Sequence, residues 1–167
     1  TVDGDTSTND MVMVMANGAA GNKPIACGDP EMAEFNDLLL DCMMELAKMI
    51  AKDGEGATKY VEIIVRGAST REDARVVARK IANSPLVKTA FYGQDANWGR
   101  IIMAAGNSGI RFDPRRFDLS FDDVLLVGDG LRVSDEAEKQ AHEVLKKNSF
   151  TVTLDLKSGS AQDSVFT

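Results

Sequence analysis

The chain has 167 residues, with 26 acidic against 19 basic side chains and a formal charge of −7. That length allows one domain, or one domain plus a small lobe. The acidic balance, without any basic stripe, argues against nucleic acid or an anionic membrane as partner. One histidine without CxxC or HExxH spacing gives no zinc site, and two lone cysteines give no disulfide framework, so a reducing cytoplasm is the default location. No apolar run approaches the roughly 20 residues that span a bilayer, and the start (TVDGD) has no basic-then-apolar signal-peptide pattern.

In chain order, residues 3–10 are small and polar and read as turns, leading into residues 11–16, an apolar run expected to be a buried strand. Residues 17–29 read as a Gly-containing loop. Asp29 and Pro30 then open the longest helix, 30–52, with Met32, Phe35, Leu39, Cys42, Met43, Leu46, Met49 and Ile50 on one stripe. At that spacing the methionines and Cys42 are expected in the core. Gly54 ends this helix, and residues 59–66 partly alternate and predict a strand. Ser69-Thr70-Arg71-Glu72 has the capping-box pattern, opening a helix that buries Ala74, Val77, Ala78 and Ile81. Ser84-Pro85 closes it, and residues 86–92 are expected as a second strand. A turn over 93–100 leads into a short helix at 101–105, with Asp95 or Asn97 as cap and Trp98 as a core anchor. Strands follow at 117–121 and 124–127 around Asp122-Asp123. A tight turn comes next at 128–130, then a Ser134-capped helix over 135–147 and an alternating strand at 150–156. Residues 158–163 read as loop. Strand–helix–strand units at 59–92 and 124–156 imply an α/β architecture with mixed sheets.

Chemistry is sparse by motif. No Ser-His-Asp set can be argued from the one histidine, and there is no GxGxxG or GxxxxGK[ST] loop; Gly128-Asp129-Gly130 lacks the third glycine. Carboxylates in polar or Gly-rich loops (Asp5, Asp10, Glu55, Asp95, Asp129) are the acid/base candidates, and an N-terminal threonine such as Thr1 can act as a nucleophile through its own amine. Glu55 stands out because it lies between Gly54 and Gly56. The glycines permit close approach of another group, although a solvated helix-ending turn explains the same residues.

Three stretches together carry a resemblance: residues 1–10 (TVDGDTSTND), 55–59 (EGATK) and 86–100 (LVKTAFYGQDANWGR). In sequence, order and spacing they resemble the β chain of the ornithine acetyltransferase / bifunctional glutamate N-acetyltransferase family of arginine biosynthesis. The resemblance implies the layered α/β fold of that self-cleaving type with mixed sheets. Residues 1–110 would belong to the catalytic layered domain and 111–167 to a smaller α/β lobe. It implies an acetyl-threonine intermediate, with acetyl moving from N2-acetylornithine to glutamate and no cofactor or metal. It also implies an α chain from the same precursor as partner, in an α2β2 assembly. Residues 1–10 resemble a stretch downstream of the family's nucleophilic threonine, so Thr1 is not expected to be that group and no catalytic residue is placed in this segment. The family also continues beyond the position of Thr167, so the chain is expected to be an internal section of a β chain or one whose ends lie elsewhere. Glu55 is the substrate ligand carried over, a carboxylate able to pair with the ornithine ammonium. Asn9, Asp10 and Asn97 are expected to support the site. Rival readings are a related self-cleaving aminopeptidase or amidase, which would release its acyl group to water, and a non-catalytic amino-acid-binding domain.

Overall fold

The computed structural model describes residues 1–5, 8–9 and 11–167. Asp10 lies outside the described residues. In order, the elements are α1 (Pro30–Lys52), β1 (Tyr60–Ala68), α2 (Arg71–Ala82), α3 (Pro85–Tyr92), α4 (Trp98–Gly106), β2 (Asp118–Phe121), β3 (Val124–Gly128), β4 (Leu131–Arg132), α5 (Asp135–Leu145), β5 (Ser149–Asp155) and β6 (Ala161–Phe166). All six strands join one mixed sheet in the order β4-β3-β2-β5-β1-β6. β1 runs parallel to β5 and antiparallel to β6, while β2 is antiparallel to both β3 and β5. The sheet thus takes β1 from before residue 110 and its other strands from after it.

Strand alternation sends every second side chain to one face. Val61, Ile63 and Val65 of β1 are buried, and register places them beside Phe150, Val152 and Leu154 of β5. β2 continues two of these rows with Phe121 beside Val152 and Leu119 beside Leu154. Val77, Ala78 and Ile81 of α2, Phe91 of α3, Ile101 of α4 and Leu145 of α5 join the same core cluster. Each of these helices starts on a side-chain cap. Thr70 accepts from the Asp73 N–H, Ser84 from Val87, Asn97 from Arg100 and Ser134 from Ala137. The first cap lies one residue later than the Ser69 capping box predicts, because the chain is still extended at Thr70.

Four expectations need correction. Residues 86–92 form helix α3 instead of a strand: Ser84-Pro85, which ends α2, also supplies a cap and a first-turn proline for the next helix. Val87, Ala90 and Phe91 are buried at helical spacing. The first strand–helix–strand unit is therefore strand–helix–helix. Residues 161–163, read as loop, begin β6, whose pairing with β1 compensates for weak alternation. Residues 11–16 have no regular secondary structure and are exposed, Met15 at 85%, since a strand needs a paired edge and none is formed here among the described residues. Finally, α1 is a helix as predicted, but Phe35, Leu39, Met43, Leu46, Met49, Ile50 and Cys42 are exposed, not core. Only its end is seated. Ala51 is buried, Lys48 lies over the Phe166 ring at 5.9 Å and Lys52 over the Tyr60 ring at 4.9 Å, on the sheet face opposite Val61. A groove of about 810 Å³ lies between Met11, Val12 and Met13 and the C-terminal half of α1, where Met43, Leu46 and Ile50 line it.

β6 is also fastened from the side by Asp163. Its carboxylate lies 2.8 Å from Arg75 Nε and 3.5 Å from Arg71 Nε. Burial pushes this carboxyl up, but the Arg75 hydrogen bond, the Ser164 N–H and the two guanidinium charges outweigh it, leaving it below the usual carboxylate range. A carboxyl depressed in the folded state stabilises fully above its unfolded pKa and loses that contribution as pH falls through the folded value. The difference in urea midpoint between wild type and Asp163→Asn should therefore be largest near neutrality and shrink below about pH 4.

Gly67 sets the end of β1. At φ +67°, a Cβ there would lie 2.3 Å from Asp155 Oδ1 and 2.8 Å from the Lys157 amide nitrogen. Left-handed backbone costs a non-glycine residue about 1–2 kcal/mol before any clash. Gly67→Ala should lower stability by about 2 kcal/mol or more in denaturant unfolding.

Candidate functional site

The cleft lies at the N-terminal end of β1. The α1–β1 turn forms one wall with Gly54, Glu55, Gly56, Ala57, Thr58 and Lys59. Lys88, Phe91 and Tyr92 of α3 form the facing wall, and Val2 and Thr167 close the sides. Its volume is about 260 Å³, and Ala51, Val61 and Phe91 give it a buried apolar lining. That size suits a small molecule and excludes a folded partner.

The turn is shaped by its own sequence. The Asp53 N–H donates to Met49 O at 2.9 Å to finish α1, and the Ala57 N–H donates to Gly54 O at 2.9 Å to close the reversal. Gly56 sits at φ +70°, a conformation glycine adopts without the penalty a side chain brings. Glu55 is held at the apex of that reversal, exposed, at the cleft wall.

Lys59 has a different task. Its ammonium donates to Leu145 O at 2.8 Å and Lys147 O at 3.0 Å. These carbonyls lie at the end of α5, where helix carbonyls lack partners and the dipole is negative. The next residue continues the attachment, with the Tyr60 N–H donating to Asn148 O at 2.8 Å. The turn carrying Glu55 is thus tied to the α5–β5 junction at the point where it becomes a strand.

The facing wall is a helix pair fixed internally. Asn97 Oδ1 accepts the Arg100 N–H at 3.2 Å, and its Nδ2 donates to Asp95 Oδ2 at 3.1 Å. Arg100 reaches back from α4 to Leu86 O at 3.0 Å and Thr89 Oγ1 at 3.2 Å on α3. Trp98 is partly buried against the core. Asn97 therefore positions α4, which in turn holds α3, and it does not line the cleft. Asn9 is exposed, accepts from Thr8 Oγ1 at 2.7 Å and is not among the residues that line the cleft.

Sequence reasoning missed Lys88. Reading 86–92 as a strand would alternate Lys88 with its neighbours; as a helix, Lys88 and Tyr92 stand one turn apart and share a face. Lys88 is half-buried, and Nζ donates to Thr167 Oγ1 at 2.5 Å. Burial lowers the pKa of its ammonium, partly opposed by the charge of Asp3. The Ser-Pro pair with buried residues at 87, 90 and 91 is the signal that could have found it.

The ArgJ family pattern matches residues 1–167. The chain belongs to the ArgJ family. It is 53% identical over 167 residues to the arginine biosynthesis bifunctional protein ArgJ of Geobacter sulfurreducens, covering 100% of this chain and 42% of that protein. It is 48% identical over 169 residues to the glutamate N-acetyltransferase of Methanocaldococcus jannaschii, covering 97% of this chain and 41% of that protein. The crystal structure of the ArgJ protein of Bacillus halodurans superposes with a TM-score of 0.93 at 41% identity, covering 99% of this chain and 78% of that one. The chain thus has the ArgJ α/β fold, and it spans 42% of the length of the first of these relatives. Among the described residues no helix is long and apolar enough to cross a membrane, and no cluster of three or more His, Cys, Asp or Glu could hold a metal ion.

In this ArgJ chain Lys59 is the joint between cleft and sheet. Lys59→Met should lower unfolding stability by about 1–3 kcal/mol, since it removes a charged donor from two carbonyls. Urea unfolding measures the loss, and an unchanged midpoint would show that the tie carries no load.

Proposed function

We propose that this chain is a β-chain portion of a glutamate N-acetyltransferase, supplying one substrate-binding wall of the site. The reading is supported by family membership over all 167 residues together with a small cleft whose wall carries Glu55 at a glycine-flanked apex. In this mechanism the hydroxyl oxygen of a threonine outside these residues attacks the acetyl carbonyl of N2-acetylornithine. The tetrahedral intermediate collapses with cleavage of the C–N bond, and the departing ornithine amine takes up the proton. The glutamate amine then attacks the acetyl ester, becomes N-acetylated and returns the hydroxyl. Glu55 pairs with the side-chain ammonium of acetylornithine, and its flanking glycines leave room for that approach. Asn97 acts at a distance by fixing the α3–α4 pair.

The apolar stripe of α1 and the exposed 11–15 run fit the same reading. Phe35, Leu39, Met43, Leu46 and Ile50, together with Met11, Met13 and Met15, leave more apolar side chain in solvent than a stable surface normally carries. The relative from G. sulfurreducens has more than half its length outside the matched region. The natural occupant is the remaining part of the ArgJ protein, the α chain included, with residues 11–16 becoming a paired strand on contact. In co-expression with that remainder, Leu46→Asp should abolish co-purification, whereas Glu136→Lys on the exposed polar side of α5 should not.

The role of Glu55 is checked in the full-length enzyme. Glu55→Ala should raise KM for N2-acetylornithine by at least about tenfold. An unchanged KM would remove Glu55 from the binding site.

A further inference from the structure

The cleft holds a second charged group opposite Glu55. Lys88 projects from α3 into the same cavity, half-buried against Val61, Phe91 and Thr167 as fellow lining residues. The one side-chain hydrogen bond of Lys88 among the described residues goes to a neutral hydroxyl, Thr167 Oγ1 at 2.5 Å. No carboxylate among the described residues lies within ion-pair distance of it, whereas Lys157 is paired with Asp118 and Asp129 at 2.6 Å each. Taking an ammonium part-way out of water with no carboxylate in contact is unfavourable, the charge of Asp3 offsets the burial only in part, and an anionic ligand that enters the cleft offsets more of that cost. Thr167 is itself rigidly placed. Its amide donates to Val61 O at 2.9 Å and its carbonyl accepts the Val61 N–H at 2.7 Å. The hydroxyl thus aims the ammonium from a fixed point on the sheet.

Resting on the acetyl-transfer reading, we propose that Lys88 receives the α-carboxylate of the amino acid in this cleft, while Glu55 takes a cationic group at the other end. The chemistry selected is an amino acid bearing a free α-carboxylate. Acetylornithine and glutamate share that group, so Lys88 serves both half-reactions, whereas Glu55 serves only the cationic substrate. Thr167 is a positioning residue for Lys88.

The test is calorimetry on the full-length protein with N2-acetylornithine, its α-carboxamide, and glutamate. Wild type should bind the carboxamide at least about tenfold more weakly than the acid. Lys88→Met should lose that preference and weaken glutamate binding as well, and Lys88→Arg should restore part of both. Equal wild-type affinity for acid and carboxamide overturns the assignment without any variant, as does failure of wild type to bind either amino acid. A folded Lys88→Met, by circular dichroism and melting, that keeps the acid preference also overturns it. Acetyl transfer is measured separately. A carboxylate preference that disappears in Lys88→Met while wild type transfers no acetyl upholds Lys88 and rejects the acetyltransferase reading instead.

Discussion

Strand β1 is hydrogen-bonded along both edges, parallel to β5 and antiparallel to β6, and the cleft is built outward from its first residues. A strand so held has little freedom to shift, since a one-residue slip would move Val61, Ile63 and Val65 out of the core. The turn that feeds it inherits that rigidity through Lys59 and the Tyr60 amide, both bonded to the end of α5. The opposite wall inherits it through Thr167, whose backbone pairs with Val61. A glycine-flanked turn would ordinarily sample many conformations. Here it is short, closed on itself by the Ala57–Gly54 bond, and anchored immediately downstream.

Glu55 and Lys88, two of the three charged residues lining the cleft, differ in environment. Glu55 is exposed, so its carboxylate stays well solvated until a ligand covers it. Lys88 is half-buried beside a neutral partner, so part of its desolvation has already occurred in the free protein. Such a group gains more from an incoming opposite charge than a fully hydrated one does. Lys59, in the same motif as Glu55, already donates to two backbone carbonyls. Motif membership does not separate these three residues, whereas their hydrogen-bond partners do.

The legibility of the fold varied with the kind of signal. α2, α5, β1, β5 and the β2–β3 hairpin were readable because period, cap and turn residues agree in each. α3 was not, because LVKTAFY has strand-like composition and a Ser-Pro pair reads as a stop as readily as a start. β6 was not, because its alternation is weak and its pairing comes from a strand almost a hundred residues earlier. At the site, Glu55 was legible through its flanking glycines and its resemblance to a family motif. Lys88 was hidden by the wrong element assignment. Asp95 and Asn97 were both legible as caps, and the structure uses Asn97.

By itself, the sequence determined the α/β class, the mixed sheet, the family and the apex position of Glu55, since these follow from local period, turn chemistry and long motifs. Tertiary structure decided which strands are neighbours, which side chains share the cleft and which apolar stripe is left uncovered. α1 shows the reason. Its stripe has the period of a core helix, and period reports only that a face is apolar. Whether that face is buried depends on what packs against it, and here only the final turn finds the sheet.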